Sequence, residues 1–177
     1  MKILALIGSP RKGGNTDILV DKFLEGAEKK EHVYEKIYLY KYNISSCIAC
    51  NICKKENHVC TMKDEMQEIY PKIDTSDVVI FGTPNYWFGP SAKMKLLIDR
   101  LLPYTSSKNL EGKKGILIVA AADGPEACGP LLEMFRKSFE YLNMKFIGHV
   151  LGTAYEKKEI LDDEKSMVDA FNLGFTL

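Results

Sequence analysis

The chain has 177 residues, enough for one domain with its own core, and its 24 Lys plus Arg are matched by 24 Asp plus Glu. Neither sign forms a block that would serve as a nucleic-acid-binding arm or an acidic tail, so the expected partners are small molecules or proteins and not nucleic acid. The apolar stretch Ile3–Ile7 is far shorter than a membrane span and follows a single lysine with no small-residue cleavage pattern, so no membrane role is expected and a cytoplasmic location is.

Ile3–Ile7 is a continuous aliphatic run of the kind a strand buried on both faces needs. It is followed by Gly8-Ser9-Pro10-Arg11-Lys12-Gly13-Gly14-Asn15-Thr16. Ligands of open α/β sheets bind beyond the carboxyl ends of the strands, so this loop is the first candidate site. Its glycines let the backbone approach an anion, Ser9, Asn15 and Thr16 can donate side-chain hydrogen bonds, Arg11 adds charge, and the next helix offers free N–H groups. It is not a P-loop, since Gly14 and Asn15 stand where the lysine and hydroxyl residue belong, nor is it the dinucleotide fingerprint. A flexible turn capped by Asn15 or Thr16 is the competing reading. Thr16–Lys30 then places Ile18, Leu19, Phe23, Leu24 and Ala27 at helical spacing, and Val33–Tyr40 reads as the second strand.

Ile44–Met62 interrupts the rhythm with a C-x2-C-x2-C-x6-C series at Cys47, Cys50, Cys53 and Cys60. The first three have ferredoxin spacing, and four thiolates satisfy a [4Fe–4S] cluster. Free or oxidised thiols and a four-cysteine zinc site stay open as alternatives, whereas a disulfide framework lacks an export signal to go with it. His58 could stand in as a ligand, although a loop histidine is ordinarily solvated. The acidic run Asp64–Glu68 suits a helix start, where the macrodipole favours carboxylates.

The third strand, Val78–Phe81, leads into Gly82-Thr83-Pro84-Asn85-Tyr86-Trp87-Phe88-Gly89-Pro90, three adjacent aromatics between two Gly/Pro turns. They suit a flat ring with its polar edge served by loop backbone, or a core or subunit interface. Next to an anion loop, the pattern points to a mononucleotide carrying a planar ring. Ser91–Leu102 is the next helix, with Lys95 and Asp99 as an i,i+4 pair and Arg100 at its end, all read as structural or interfacial. Ile116–Ala120, helix Leu131–Leu142, strand Lys145–Leu151 and helix Glu156–Phe171 complete the chain. Cys128 reads as a packed small residue, and His32 and His149 have no Ser or Cys patterned nearby to make a hydrolase triad. The alternation implies an α/β protein: a three-layer α/β/α sandwich around a five-stranded parallel sheet, one domain over 1–177 with a cysteine-rich insertion at about 44–62.

From Met1 to about Gly152 the chain resembles the NADPH-dependent FMN reductase and iron-sulfur flavoprotein branch of the flavodoxin-like superfamily. The resemblance rests on Gly8 through Thr16, the cysteine series, Thr83-Pro84-Asn85-Tyr86, and Lys95 through Asp99-Arg100. It implies a flavodoxin-like strand order 2-1-3-4-5, FMN phosphate at Ser9, Arg11, Gly14, Asn15 and Thr16, and ring contacts at Pro84, Asn85, Tyr86 and Trp87. A third contact is implied at Ala121-Ala122-Asp123-Gly124, which is kept outside the candidate set. Iron-sulfur flavoproteins are similar in their compact cysteine pattern, but flavin reductases of the same branch carry a similar series without a cluster. The resemblance thus implies an oxidoreductase moving electrons between FMN and a redox partner, through a [4Fe–4S] cluster if the cysteines hold one. The alternatives are an NAD(P)H-dependent flavin or quinone reductase without a cluster, and a non-catalytic flavin-binding module with a zinc loop. No side chain need act as acid or base. The expected partners are an electron donor or acceptor protein, a small-molecule oxidant and NAD(P)H as a candidate donor. A homodimer or homotetramer is expected, with the aromatics and the cysteine loop at one end of the sheet under a second subunit.

Overall fold

The computed structural model describes residues 1–55 and 58–177, so the expected insertion at 44–62 includes positions 56 and 57, which lie outside the described residues. The strands are β1 (Lys2–Ile7), β2 (Val33–Tyr38), β3 (Val78–Tyr86), β4 (Gly89–Pro90), β5 (Lys114–Ala121) and β6 (Lys145–Thr153). The helices are α1 (Asn15–Glu28), α2 (Met66–Asp74), α3 (Ala92–Asp99), α4 (Tyr104–Ser107), α5 (Gly129–Tyr141) and α6 (Glu164–Phe175). The long strands pair in parallel in the order β2-β1-β3-β5-β6, and β4 is a short antiparallel arm on β3. Without that arm the order is the expected flavodoxin-like 2-1-3-4-5.

Alternate residues of each strand feed two cores, which makes the molecule a three-layer sandwich. Ile3, Ala5, Ile7, Ile80 and Ile118 pack with Leu19, Val20 and Phe23 of α1 and Ala170 of α6. Leu4, Leu6, Phe81, Leu117 and Val119 pack on the other face with Ile69, Met94, Leu97, Phe135 and Phe139. Burial on both faces explains why β1, β3 and β5 are aliphatic throughout and not alternating. The closest helix pair is α1 on α6: a Cβ added at Gly26 would lie 2.1 Å from the Phe171 carbonyl oxygen, and one at Gly174 would lie 2.0 Å from that of Phe23. Only glycine at both positions lets the two backbones touch.

Two elements depart from the sequence expectation. β3 runs on to Tyr86 because Asn85 and Tyr86 pair back with Pro90 and Gly89, so part of the expected ring loop is a hairpin. The closing helix starts at Glu164 and not Glu156, because Lys158 sits at φ 73° and Asp163 caps the helix by accepting from the Ser166 N–H at 3.1 Å. Among the described residues no helix is long and apolar enough to cross a membrane.

Candidate functional site

The carboxyl ends of β1, β3, β5 and β6 open onto one cleft of about 670 Å³, lined by Ser9, Arg11, Asn15, Thr16, Pro84, Asn85, Tyr86, Ala120, Ala122, Ala154 and Tyr155. Its floor is pinned backbone to backbone. The Gly8 N–H donates to the Gly82 carbonyl at 2.7 Å, the Ser91 hydroxyl donates to the Gly8 carbonyl at 2.5 Å, and the Ser91 N–H donates to Thr83 Oγ1 at 3.0 Å. At the loop itself Gly13 takes φ 67°, a conformation glycine adopts without strain. Gly14 follows as the N-cap of α1 with no side-chain cap, so the first-turn N–H groups stay available beside Arg11, Asn15 and Thr16.

Asp17 in that first turn would repel an anion were it not engaged. Its carboxylate accepts from the Gly13 N–H at 2.8 Å and from the Tyr38 hydroxyl, and it pairs with the Lys36 ammonium at 2.5 Å. Burial alone would lower the pKa of Lys36, but its bonds to Asp17 and Asp21 carry it above the ordinary lysine value and keep it charged. The opposite side of the cleft is a hairpin whose tip, Trp87 and Phe88, holds φ of 50° and 61°. Such a primed turn ordinarily takes Asn and Gly, so two bulky aromatics there are strained. Asn85 donates through Nδ2 to the Ala127 carbonyl at 3.2 Å, while its Oδ1 is buried with no hydrogen-bond partner.

A second constellation lies at the other end of α3. Cys47, Cys50, Cys53 and Cys60 all line one cavity, together with Asp99, Arg100, Leu102 and Pro103. Among the described residues no three His, Cys, Asp or Glu side chains are close enough together to hold a single metal ion, so the cysteines face a common space without meeting. Cys53 is buried, and burial first, then the neighbouring Cys60, Cys47 and Cys50, push its thiol pKa up. Arg100, 1% exposed, forms a bidentate pair with Asp64 and also donates to Cys60 Sγ at 3.4 Å. Burial would raise the pKa of Asp64, but Arg100 and the N–H groups of Ser45 and Met66 hold it below the usual carboxylate range.

The chain is similar to known proteins over most of its length. Residues 1–157 match the family described as NADPH-dependent FMN reductase. The chain belongs to that family. It is 32% identical, over 98% of this chain and 96% of the other, to a Bacillus subtilis protein named as an NAD(P)H-dependent FMN-containing oxidoreductase. It is 31% identical, over 98% and 94%, to an iron-sulfur flavoprotein of Methanocaldococcus jannaschii. The solved structure of the Trp repressor binding protein from Bacillus subtilis superposes with a TM-score of 0.72 at 29% identity, covering 97% and 96% of the two chains. The protein is therefore an oxidoreductase of an FMN-dependent, flavodoxin-like family.

Within this FMN reductase fold the cleft brings together Ser9, Arg11, Asn15, Thr16, Pro84, Asn85 and Tyr86 of the residues singled out in the sequence. Gly14 contributes backbone at the helix start and does not line the cleft, and Trp87 stands 97% exposed at the hairpin tip, outside it. Asn15, expected to donate to an anion, instead donates through Nδ2 to the Glu156 carbonyl at 2.8 Å, tying the segment after β6 to the loop. Sequence reasoning missed Ala154 and Tyr155, and it set aside the neighbourhood of Ala120 and Ala122. All four lie at or just after the carboxyl ends of β5 and β6, a positional signal that was there to be used. The cleft lies at the Ser91 end of α3 and the cysteine cavity at the Arg100 end, about 13 Å along the helix axis.

Proposed function

We propose that the cleft binds FMN and that the protein moves electrons between it and a redox partner, with Cys47, Cys50, Cys53 and Cys60 holding a [4Fe–4S] cluster. The observation that carries the FMN reading is the buried, partnerless Oδ1 of Asn85, an acceptor aimed at a ligand's N–H in a cleft whose far side is an uncapped helix N-terminus. Ser9, Arg11, Thr16 and the first-turn N–H groups of α1 would hold the phosphate, with Gly14, whose own N–H donates to the Arg11 carbonyl at 2.9 Å, as the cap that leaves those groups free. Pro84, Asn85 and Tyr86 would hold the ring, and Asn15 would act by fastening the Tyr155–Glu156 segment at the cleft edge. FMN, when bound, supplies the redox chemistry, and the chain's task is to hold it and shield it from water.

The donor set of four cysteines around one cavity fits a cluster, and a buried cation beside Cys60 offsets thiolate charge. The iron-sulfur flavoprotein of Methanocaldococcus jannaschii supports the same reading by its name and full-length similarity. An NAD(P)H-dependent flavin or quinone reductase without a cluster is the second reading, favoured by the similarly complete match to the Bacillus subtilis oxidoreductase. In either case the proposal is a cytoplasmic protein of one domain, working as a homodimer or homotetramer, with a second copy covering the exposed Trp87 and Phe88.

The test is iron, acid-labile sulfide, zinc and FMN per subunit on protein purified without oxygen. About four iron and four sulfide with one FMN is the expected result. One FMN without iron leaves the reductase, and zinc in place of iron a zinc-stabilised loop. Protein that neither retains nor rebinds FMN overturns the proposal.

A further inference from the structure

Arg100 is the largest of the fully buried side chains. A guanidinium has five N–H groups, and a buried one is costly unless they are matched. Here Nη1 donates to the Ser45 carbonyl at 3.0 Å and to Asp64 Oδ2 at 2.5 Å, and Nη2 donates to Asp64 Oδ1 at 3.0 Å and to Cys60 Sγ at 3.4 Å. The remaining donor, Nε, is buried and has no partner among the described residues. An arginine placed only to lock Asp64 would direct its donors to oxygen. This one lines the cavity of the four cysteines, gives one N–H to a ligand-type sulfur and keeps another unmatched.

We propose that Arg100 is a positioning residue that sets the reduction potential of the group held by the cysteines, its Nη2–H bonding to the Cys60 sulfur and its Nε–H to a sulfur of that group. The inference rests on the cluster reading above. Reduction adds one electron with no bond made or broken, so the reduced state is the more negative one. A fixed cation with two N–H groups on sulfur stabilises that state more than the oxidised one, and hydrogen bonds to sulfur and local charge are what tune such potentials. Asp64, bidentate on the opposite side, fixes the plane of the guanidinium and with it the direction of both bonds.

The experiment is a potentiometric titration of the full chain, cluster loaded, with a low-potential chemical reductant, following visible absorbance and the spin resonance of the reduced state. Arg100→Gln should shift the couple at least tenfold toward the oxidised form, about 59 mV for one electron. Arg100→Lys, which keeps the charge and loses the fork, should shift it less. Since either change could strand Asp64 and unfold the chain, the double variant Arg100→Leu/Asp64→Leu removes both charges together and should shift the couple in the same direction, by less than Arg100→Gln because the Asp64 charge goes too. The wild-type protein gives a readout that needs no variant. Arginine occurs only at positions 11, 100 and 136, so 15N-arginine labelling should produce a weak nitrogen coupling to the reduced centre. Iron-loaded wild type with no such coupling, or loaded variants with unchanged potential, overturns the role of Arg100 and leaves the cluster standing. Wild type without iron removes the cluster reading itself, and this inference with it.

Discussion

The cleft and the cysteine cavity sit at the two ends of one short helix and are built by different means. The cleft is made from strand ends and a helix start whose positions are fixed by main-chain bonds, as between Gly8 and Gly82. The cavity is made from a segment with little regular structure among its described residues: a 3-10 turn, Ile52–Lys54, follows left-handed Ala49 and Asn51. Side chains hold that segment. Arg100 at the end of α3 and Asp64 just before α2 clamp it, and Gln67 Nε2 donates to the carbonyls of Cys60 and Met62, each at 2.8 Å. A site on strand ends is available before its ligand arrives, whereas a site held by one buried ion pair depends on that pair.

The sharpest way to break this contrast is Asp64→Ala. It leaves the Arg100 guanidinium buried without its counter-ion, and removing one partner of such a pair typically costs about 3–5 kcal/mol. Urea unfolding should show that loss, and at permissive concentrations the cysteine segment should become protease-sensitive while FMN still binds. A loss of FMN in step with the cysteine segment would show that the two regions are not independent.

Acid should single out the same pair. The folded-state pKa of Asp64 lies below its unfolded value, so its contribution is complete above the unfolded value of about 3.9 and is lost as pH falls through the folded one. The stability gap between the wild type and Arg100→Leu/Asp64→Leu should therefore move in favour of the double variant between pH 7 and pH 3 by urea midpoint. A gap independent of pH would mean that Asp64 is not ionised in the fold.

A smaller effect belongs to the cleft. Asn85→Leu removes the unmatched acceptor and should weaken FMN binding by about 1–3 kcal/mol, read by fluorescence titration, with the iron content unchanged. The smallest is at the hairpin tip: Trp87→Asn with Phe88→Gly supplies the residues the turn favours and should raise the stability of the subunit by about 1 kcal/mol in urea unfolding at dilutions where the chain is monomeric.

Much of the fold was legible because burial on both faces leaves a plain signature. Ile3–Ile7, Val78–Phe81 and Ile116–Ala120 are aliphatic runs, and each lies within a central strand. That the loop after β1 lines a cleft was legible from its place in the chain. What escaped was set by contacts distant in sequence. Nothing near Arg100 announces that its partner is Asp64, so one was read as a helix end and the other as a helix start, when together they hold the cysteine segment. Tyr155 and Ala154 come to the cleft because β6 ends beside β5, and the late start of α6 depends on a cap at Asp163 that a simple apolar period does not reveal.

The glycine contact between α1 and α6 bears on when the protein becomes competent for its cofactor. Gly26 and Gly174 belong to the first and last helices, so the helix whose start faces the cleft rests on a surface that leaves the ribosome only after every other described element. At about 5–20 residues per second, the ribosome delivers that support many seconds after α1. A nascent chain stalled before α6 should therefore emerge with α1 unsupported where its start faces the cleft.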